Sequence, residues 1–173
     1  MSDAMSLGRE SAELSGTVRL RVRQVARVDL DRVAGALGGP EASWLGERAP
    51  DASPGVRRFY CDLELQVSPA RWAVFRKSAI VGLGEPRPDH EGWVVPIEWR
   101  AATLAPLFPV FAGHLRLRAD RIELAGRYAP PGGAVGYVLD RTLLGVAARG
   151  TGRWLLGRVA AALSEDAARE GRR

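Results

Sequence analysis

The sequence predicts an α+β domain in which a curved antiparallel sheet of six to seven strands wraps around one long C-terminal helix. Apolar and polar residues alternate in six segments, which is typical of strands with one buried face. The last five of these segments are joined by short links, which favours an antiparallel meander. From about residue 134 to 168 the apolar period becomes helical, so this helix can cover the apolar face of the sheet.

The first strand is predicted over residues 17–23, where apolar side chains alternate with arginine. A row of arginines could bind phosphates, as in nucleic-acid-binding proteins. The alternative is ion pairing with acids on neighbouring strands, which is the ordinary arrangement across a ladder. We favour ion pairing and expect no nucleic-acid partner. The arginines are Arg19, Arg21 and Arg23, and the candidate acids are Asp62, Glu64 and Glu123.

A short helix is predicted from Asp29 to Leu37, with Asp29 as its N-cap and Gly38-Gly39 as its end. Residues 39–55 contain three prolines and are expected to form an irregular connection.

The five strands of the meander are predicted at about residues 56–67, 72–83, 93–100, 111–118 and 122–128. Pro96 has no N–H to donate to a ladder, so its strand is expected to lie at an edge or to carry a bulge. The stretches 84–92 and 102–109 could each conceal a further short strand.

The C-terminal helix carries two apolar stripes, one over residues 135–146 and one over 156–163. Glycine is unfavourable within a helix, so the glycines at positions 145, 150, 152 and 157 are unusual here. They could allow close approach to the sheet or leave room for a ligand, and Gly150 to Gly152 could kink or divide the helix.

Composition excludes several classes of protein. Cys61 is the only cysteine, so an intramolecular disulfide and a zinc–thiolate cluster are excluded, and we expect no metal or other cofactor. The net charge of +5 reflects arginine usage, since Lys77 is the only lysine. With no signal-peptide pattern or membrane-length apolar run, we expect a cytoplasmic protein. Residues 1–13 and 169–173 are expected to be disordered, and 14–168 to form one domain.

Large side chains on inward faces are the candidate ligand-binding residues, although each could equally fill the core. Tyrosine hydroxyls could orient the polar end of a ligand, and Lys77 could pair with an acidic group if it points inward. Cys61 is expected to be an inert core thiol, His90 a solvated loop residue and His114 an outward-facing one, so we assign no catalytic residue. The candidates are Trp93, Trp99, Phe111, Tyr128, Tyr137 and Leu139.

Four segments carry a family resemblance: Val95–Trp99, Phe108–Leu117, Leu124–Pro131 and Gly136–Asp140, followed by the long helix. They resemble the START-like superfamily, also called Bet v 1-like or SRPBCC, which has the helix-grip fold and includes polyketide cyclases and small bacterial proteins. The first half of the chain matches only in the order of its elements, and the superfamily usually has seven strands.

A sheet that curls around one helix need not fill its concavity, so we expect a cavity between sheet and helix that holds a hydrophobic small molecule, lipid- or polyketide-like. We expect a monomer or homodimer. The alternative is an enzyme of the polyketide cyclase or aromatase kind. We favour binding because the inward faces lack carboxylates and histidine, which most often move protons.

Overall fold

A computed structural model describes residues 17–39, 44–66, 74–102, 110–129 and 133–164. The side chains at 51–53, 63–66, 74–77, 101 and 133–147 are outside this description, as are both termini predicted to be disordered. The elements are β1 (Val18–Val25), a 3-10 turn (Leu30–Arg32), α1 (Val33–Gly38), β2 (Glu47–Ser53), β3 (Val56–Gln66), β4 (Val74–Leu83), β5 (Arg87–Asp89), β6 (Gly92–Ala101), β7 (Val110–Arg118), β8 (Arg121–Ala129) and α2 (Gly133–Leu163).

The strands form one antiparallel sheet in the order β1-β8-β7-β6-β4-β3-β2, with β5 paired to β6. The α+β fold class and the meander are therefore confirmed, and the sheet has eight strands among the described residues. β5 lies within 84–92, one of the two stretches expected to conceal a strand.

The prediction of an irregular connection over 39–55 is wrong, because β2 lies within it. β2 pairs with β3 through a hairpin whose turn is Pro54-Gly55. Gly55 has a φ of +77°, which favours glycine, and this turn brings the chain back onto the sheet.

Pro96 lies on β6, which is an interior strand that pairs with β7 in regular register through Pro96 and His114. The expectation of an edge strand or of a bulge in this strand is therefore wrong, and the irregularity lies instead on the opposite side, between Gly84 and Arg87. From Leu83, which pairs with Ile97, to Arg87, which pairs with Val94, the chain advances four residues, while β6 advances only three, so one extra residue lies on the β4–β5 side. In the interruption the Gly84 N–H donates to the Pro96 carbonyl at 2.9 Å. Proline cannot return this bond, and the Gly84 carbonyl instead accepts from the Arg57 guanidinium at 3.2 Å.

The helical segment predicted from Asp29 is confirmed. The Asp29 carboxylate accepts the Asp31 N–H at 3.1 Å and caps the 3-10 turn that leads into α1. At the other end Gly39 N–H donates to the Gly35 carbonyl at 3.0 Å.

Helix α2 is continuous through Gly150 and Gly152, and packs mainly on β3, β1 and β8. In its second stripe Leu156, Val159 and Leu163 are fully buried, as expected, while the side chains of the first stripe are outside the description. No helix among the described residues is sufficiently long and apolar to cross a membrane.

At Gly152 the helix lies close against the sheet. A Cβ added there would lie 2.9 Å from a methyl group of Val22 and 3.3 Å from one of Leu124. At Gly157 an added Cβ would meet nothing within 4 Å. Close packing against the sheet therefore requires a glycine at position 152 but not at position 157.

We expect Gly157→Ala to raise the free energy of unfolding by up to about 1 kcal/mol, through helix propensity alone. Gly152→Ala should lower it, because the stiff side chain of Val22 must move. Thermal or urea unfolding of both variants checks this, and equal stabilisation by the two would contradict the close approach.

Candidate functional site

The inner face of the sheet carries an aromatic row on three adjacent strands. Trp99, Phe111 and Tyr128 are cross-strand neighbours, and each is at most 3% exposed. The Trp99 and Phe111 rings stack with centroids 3.9 Å apart and an interplanar angle of 14°. Gly113 and Gly126 face each other under the Phe111 ring, where an added Cβ would lie 2.8 Å and 2.6 Å from its Cζ. The glycine pair therefore admits the ring.

The structure thus brings together three of the six predicted ligand-binding residues, within the hydrophobic core. Trp93 is half-buried and packs at the edge of that core. The side chains of Tyr137, Leu139 and Lys77 are outside the description. A ligand-lining role for the six stays a prediction.

A buried hydroxyl lies on the helix that covers this face. Ala148, Thr151 and Leu155 form one buried stripe of α2, each at most 2% exposed. Among the described residues Thr151 Oγ1 has no hydrogen-bond partner. Sequence reasoning missed Thr151, although a single threonine between two glycines on an apolar helix was a visible signal.

A groove of about 710 Å³ lies on the opposite, outer face of the sheet. It opens where outward positions carry no long side chain, as at Gly82, Gly84, Pro96 and Ala112. Trp93, Trp99, Phe111 and Tyr128 are not among its described lining residues. The sequence pattern that could have indicated this groove is the presence of small residues at outward-facing positions of three strands.

His114 lines the outer groove and faces outward as predicted, but it is half-buried rather than fully solvated. Burial lowers its pKa, as does the positive charge of Arg116, while Glu123 acts in the opposite direction. His114 is therefore mainly neutral near pH 7. His90 is exposed in a turn, as expected.

Cys61 is 6% exposed in the core, as predicted. Burial, together with the neighbouring Asp62 charge, raises the pKa of its thiol to about 12, against a smaller opposing effect of Arg158. The thiol is protonated at neutral pH and hence a poor nucleophile. The described residues contain no group of three potential metal ligands among His, Cys, Asp and Glu.

Glu123 on β8 is the acid that pairs with the arginines of β1. Arg21 lies 2.9 Å from Oε1, and Arg23 donates to Oε2 at 3.2 Å from Nε and 3.0 Å from its terminal nitrogen. Pairing was also expected with Asp62 and Glu64, which is wrong because β1 pairs with β8 and β3 lies near the other edge. In register, Arg19 faces Arg127 instead of an acid.

The Glu123 side chain is only 8% exposed. Burial alone would raise its pKa, but the hydrogen bonds and charges of Arg21 and Arg23 outweigh burial, so the pKa lies below its usual value. Glu123 is therefore ionised throughout the neutral range.

Comparison with known proteins finds no matching family model and no matching curated protein. Solved structures do match. A STAR-related lipid transfer protein from Xanthomonas axonopodis is 19% identical, with 80% of this chain and 84% of that chain covered and a TM-score of 0.42. The di-domain ARO/CYC StfQ of the steffimycin biosynthetic pathway is 15% identical, covering 96% of this chain and 56% of that one, with a TM-score of 0.46.

DynU16, from the dynemicin biosynthetic locus, is 15% identical, with 82% of this chain and 49% of that chain covered and a TM-score of 0.32. This chain therefore spans about half the length of StfQ and DynU16. The fold class itself rests on the strand order and helix packing described above.

We expect Glu123→Gln to lower the free energy of unfolding at pH 7 by about 1–3 kcal/mol, since the buried carboxylate loses its charge-assisted hydrogen bonds to the partly exposed Arg21 and Arg23. The Glu123 pKa is lower in the folded than in the unfolded state, so its stabilisation is present above the unfolded value of about 4.3 and is lost as the pH falls through the folded value. Urea unfolding between pH 7 and pH 3 should show a shallower acid loss in the variant, and parallel profiles would contradict this.

Proposed function

We propose that the protein binds a hydrophobic small molecule, lipid- or polyketide-like, between the inner face of the sheet and helix α2. The observation that carries the proposal is the Thr151 hydroxyl, which is buried on the helix stripe facing this sheet and has no partner among the described residues. A buried hydroxyl without a partner costs about 1–3 kcal/mol. A carbonyl or hydroxyl group of a bound ligand would remove this cost.

The surroundings of Thr151 favour an apolar ligand with few polar groups. Its neighbour Gly152 packs on Val22 and Leu124, and the same inner face continues into the row of Trp99, Phe111 and Tyr128. Sites for small apolar molecules are commonly lined in this way, with a small number of polar groups that fix orientation. Thr151 is therefore proposed as the orienting group.

The composition of the inner face favours ligand binding over the chemistry of a polyketide cyclase. The described inward-facing side chains of β1, β4, β6, β7 and β8 include no carboxylate and no imidazole, the groups that most often move protons.

The experiment is a titration of the delipidated full chain with a fluorescent apolar dye, followed by displacement with a long-chain 3-oxo fatty acid and with the matching alkane. Thr151→Val keeps the shape of the side chain and removes the hydroxyl. We expect the variant to bind the oxo acid about 3- to 10-fold more weakly and the alkane unchanged, because one hydrogen bond is lost.

Thr17→Val is the matched control, since Thr17 lines the outer groove. It should leave both affinities unchanged. Weakening by Thr17→Val alone would place the ligand in the outer groove, and absence of dye binding by the folded protein would refute the proposal.

A further inference from the structure

Five arginines converge at one end of the outer face, where β1, β8 and β7 lie side by side. With Glu123 they line a pocket of about 100 Å³, and we call this set the arginine cluster. Its members are Arg21, Arg23, Arg116, Arg118, Arg121 and Glu123.

The acids within reach do not balance this charge. Glu123 is shared by Arg21, Arg23 and Arg116, the last at 4.0 Å. Outside the pocket Glu91 contacts Arg118, and Asp120 lies 2.8 Å from Arg121. Among the described residues, five guanidinium groups thus face three carboxylates, which leaves an excess of two positive charges.

The outer pairs are also weakly held. The Glu91 and Asp120 side chains are 66% and 69% exposed, and ion pairs this exposed contribute little. An anion that entered the pocket could therefore draw Arg118 and Arg121 from these partners at small cost.

Hydrogen-bond donors in the arginine cluster also outnumber the acceptors of Glu123. A guanidinium has five N–H donors, whereas a carboxylate has about four lone-pair positions. The three arginines around Glu123 therefore have many more donors than this carboxylate can accept. The pocket volume of about 100 Å³ equals roughly three water molecules, which is about the space of one tetrahedral oxyanion.

We propose that the arginine cluster binds a phosphate group, either of a soluble phosphate ester or of a lipid headgroup. A phosphate dianion matches the excess of two charges, and guanidinium forks bind phosphate oxygens in pairs. Glu123 acts as the positioning residue, because its hydrogen bonds hold Arg21 and Arg23 in place before the anion arrives. The site is on the outer face and is independent of ligand binding on the inner face.

The first experiment titrates the full chain with inorganic phosphate, with sodium chloride adjusted to keep ionic strength constant, and measures heat and Tm. We expect saturable binding and a Tm that rises with phosphate beyond any effect of chloride. An equal response to chloride would overturn the proposal.

Arg116→Gln is the test variant, because Arg116 is the arginine farthest from Glu123 among the three that share it. Arg127→Gln is the matched control, with the same change of charge on the same face but outside the pocket. We expect Arg116→Gln to weaken phosphate binding about 10-fold and Arg127→Gln to leave it unchanged. Equal weakening by both would show only general surface charge and refute the site.

Glu123→Gln separates a binding role from a purely structural one. The glutamine side-chain oxygen can still accept from Arg21 and Arg23 and so keep them in position. Removing only the negative charge should therefore tighten phosphate binding and make the Tm more dependent on phosphate, even where the variant is less stable. If the arginines serve only to neutralise Glu123, phosphate would have no saturable effect on either protein, and the proposal fails.

Vesicles distinguish the two sources of the phosphate group. Sedimentation with phosphatidylcholine vesicles only when they contain phosphatidic acid, with release by free phosphate and loss in Arg116→Gln, would assign the site to a headgroup. Saturable binding of free phosphate without sedimentation would assign it to a soluble ester. Length-dependent binding of duplex DNA, with no saturable phosphate effect, would overturn the proposal.

Discussion

The close approach of α2 to the sheet at Gly152 is the contact on which the rest of the structure depends. The missing side chain allows the helix to lie against Val22 and Leu124, on β1 and β8. The end of the helix is fixed independently, since the Leu163 carbonyl accepts from Asp29 N–H at 3.0 Å and the Ser164 carbonyl accepts from Arg32 at 2.8 Å. Because β3 also packs on this helix, the sheet must curve, and its apolar face becomes the interior.

Because successive side chains of a strand point to opposite faces, the sheet presents apolar residues on its inner face and charged residues on its outer face. On β8 the neighbours Ile122 and Leu124 are fully buried in the core, while Glu123 between them faces outward to the arginines. The inner face therefore offers aromatic and aliphatic surface, together with the buried Thr151 hydroxyl on the covering helix. The outer face offers guanidinium donors in excess of acceptors. Ligands that suit one face are unsuited to the other.

Much of this fold could be predicted from periodicity, because a residue that must be buried leaves a regular trace in the sequence. The alternation located β1, β3, β4, β6, β7 and β8, and the helical period located α2. It failed for β2, where Pro50 and Pro54 indicated a loop and the turn at Gly55 was decisive. The outer groove was missed because it arises from absent side chains, such as those at Gly82 and Gly84, which periodicity does not record. Of the acids predicted to pair with the β1 arginines only Glu123 does so, because periodicity does not show that β8, and not β3, lies beside β1.

Stability alone does not account for the arginine cluster. A buried ion pair often contributes little once the desolvation of both charges is included. One guanidinium would neutralise Glu123, and a second already overcompensates it, so Arg116 at 4.0 Å adds repulsion from two like charges. An apolar residue at position 123 would avoid the burial of a carboxylate altogether. The excess of positive charge around a pre-formed pocket is therefore better explained by an anion that completes the site than by the fold.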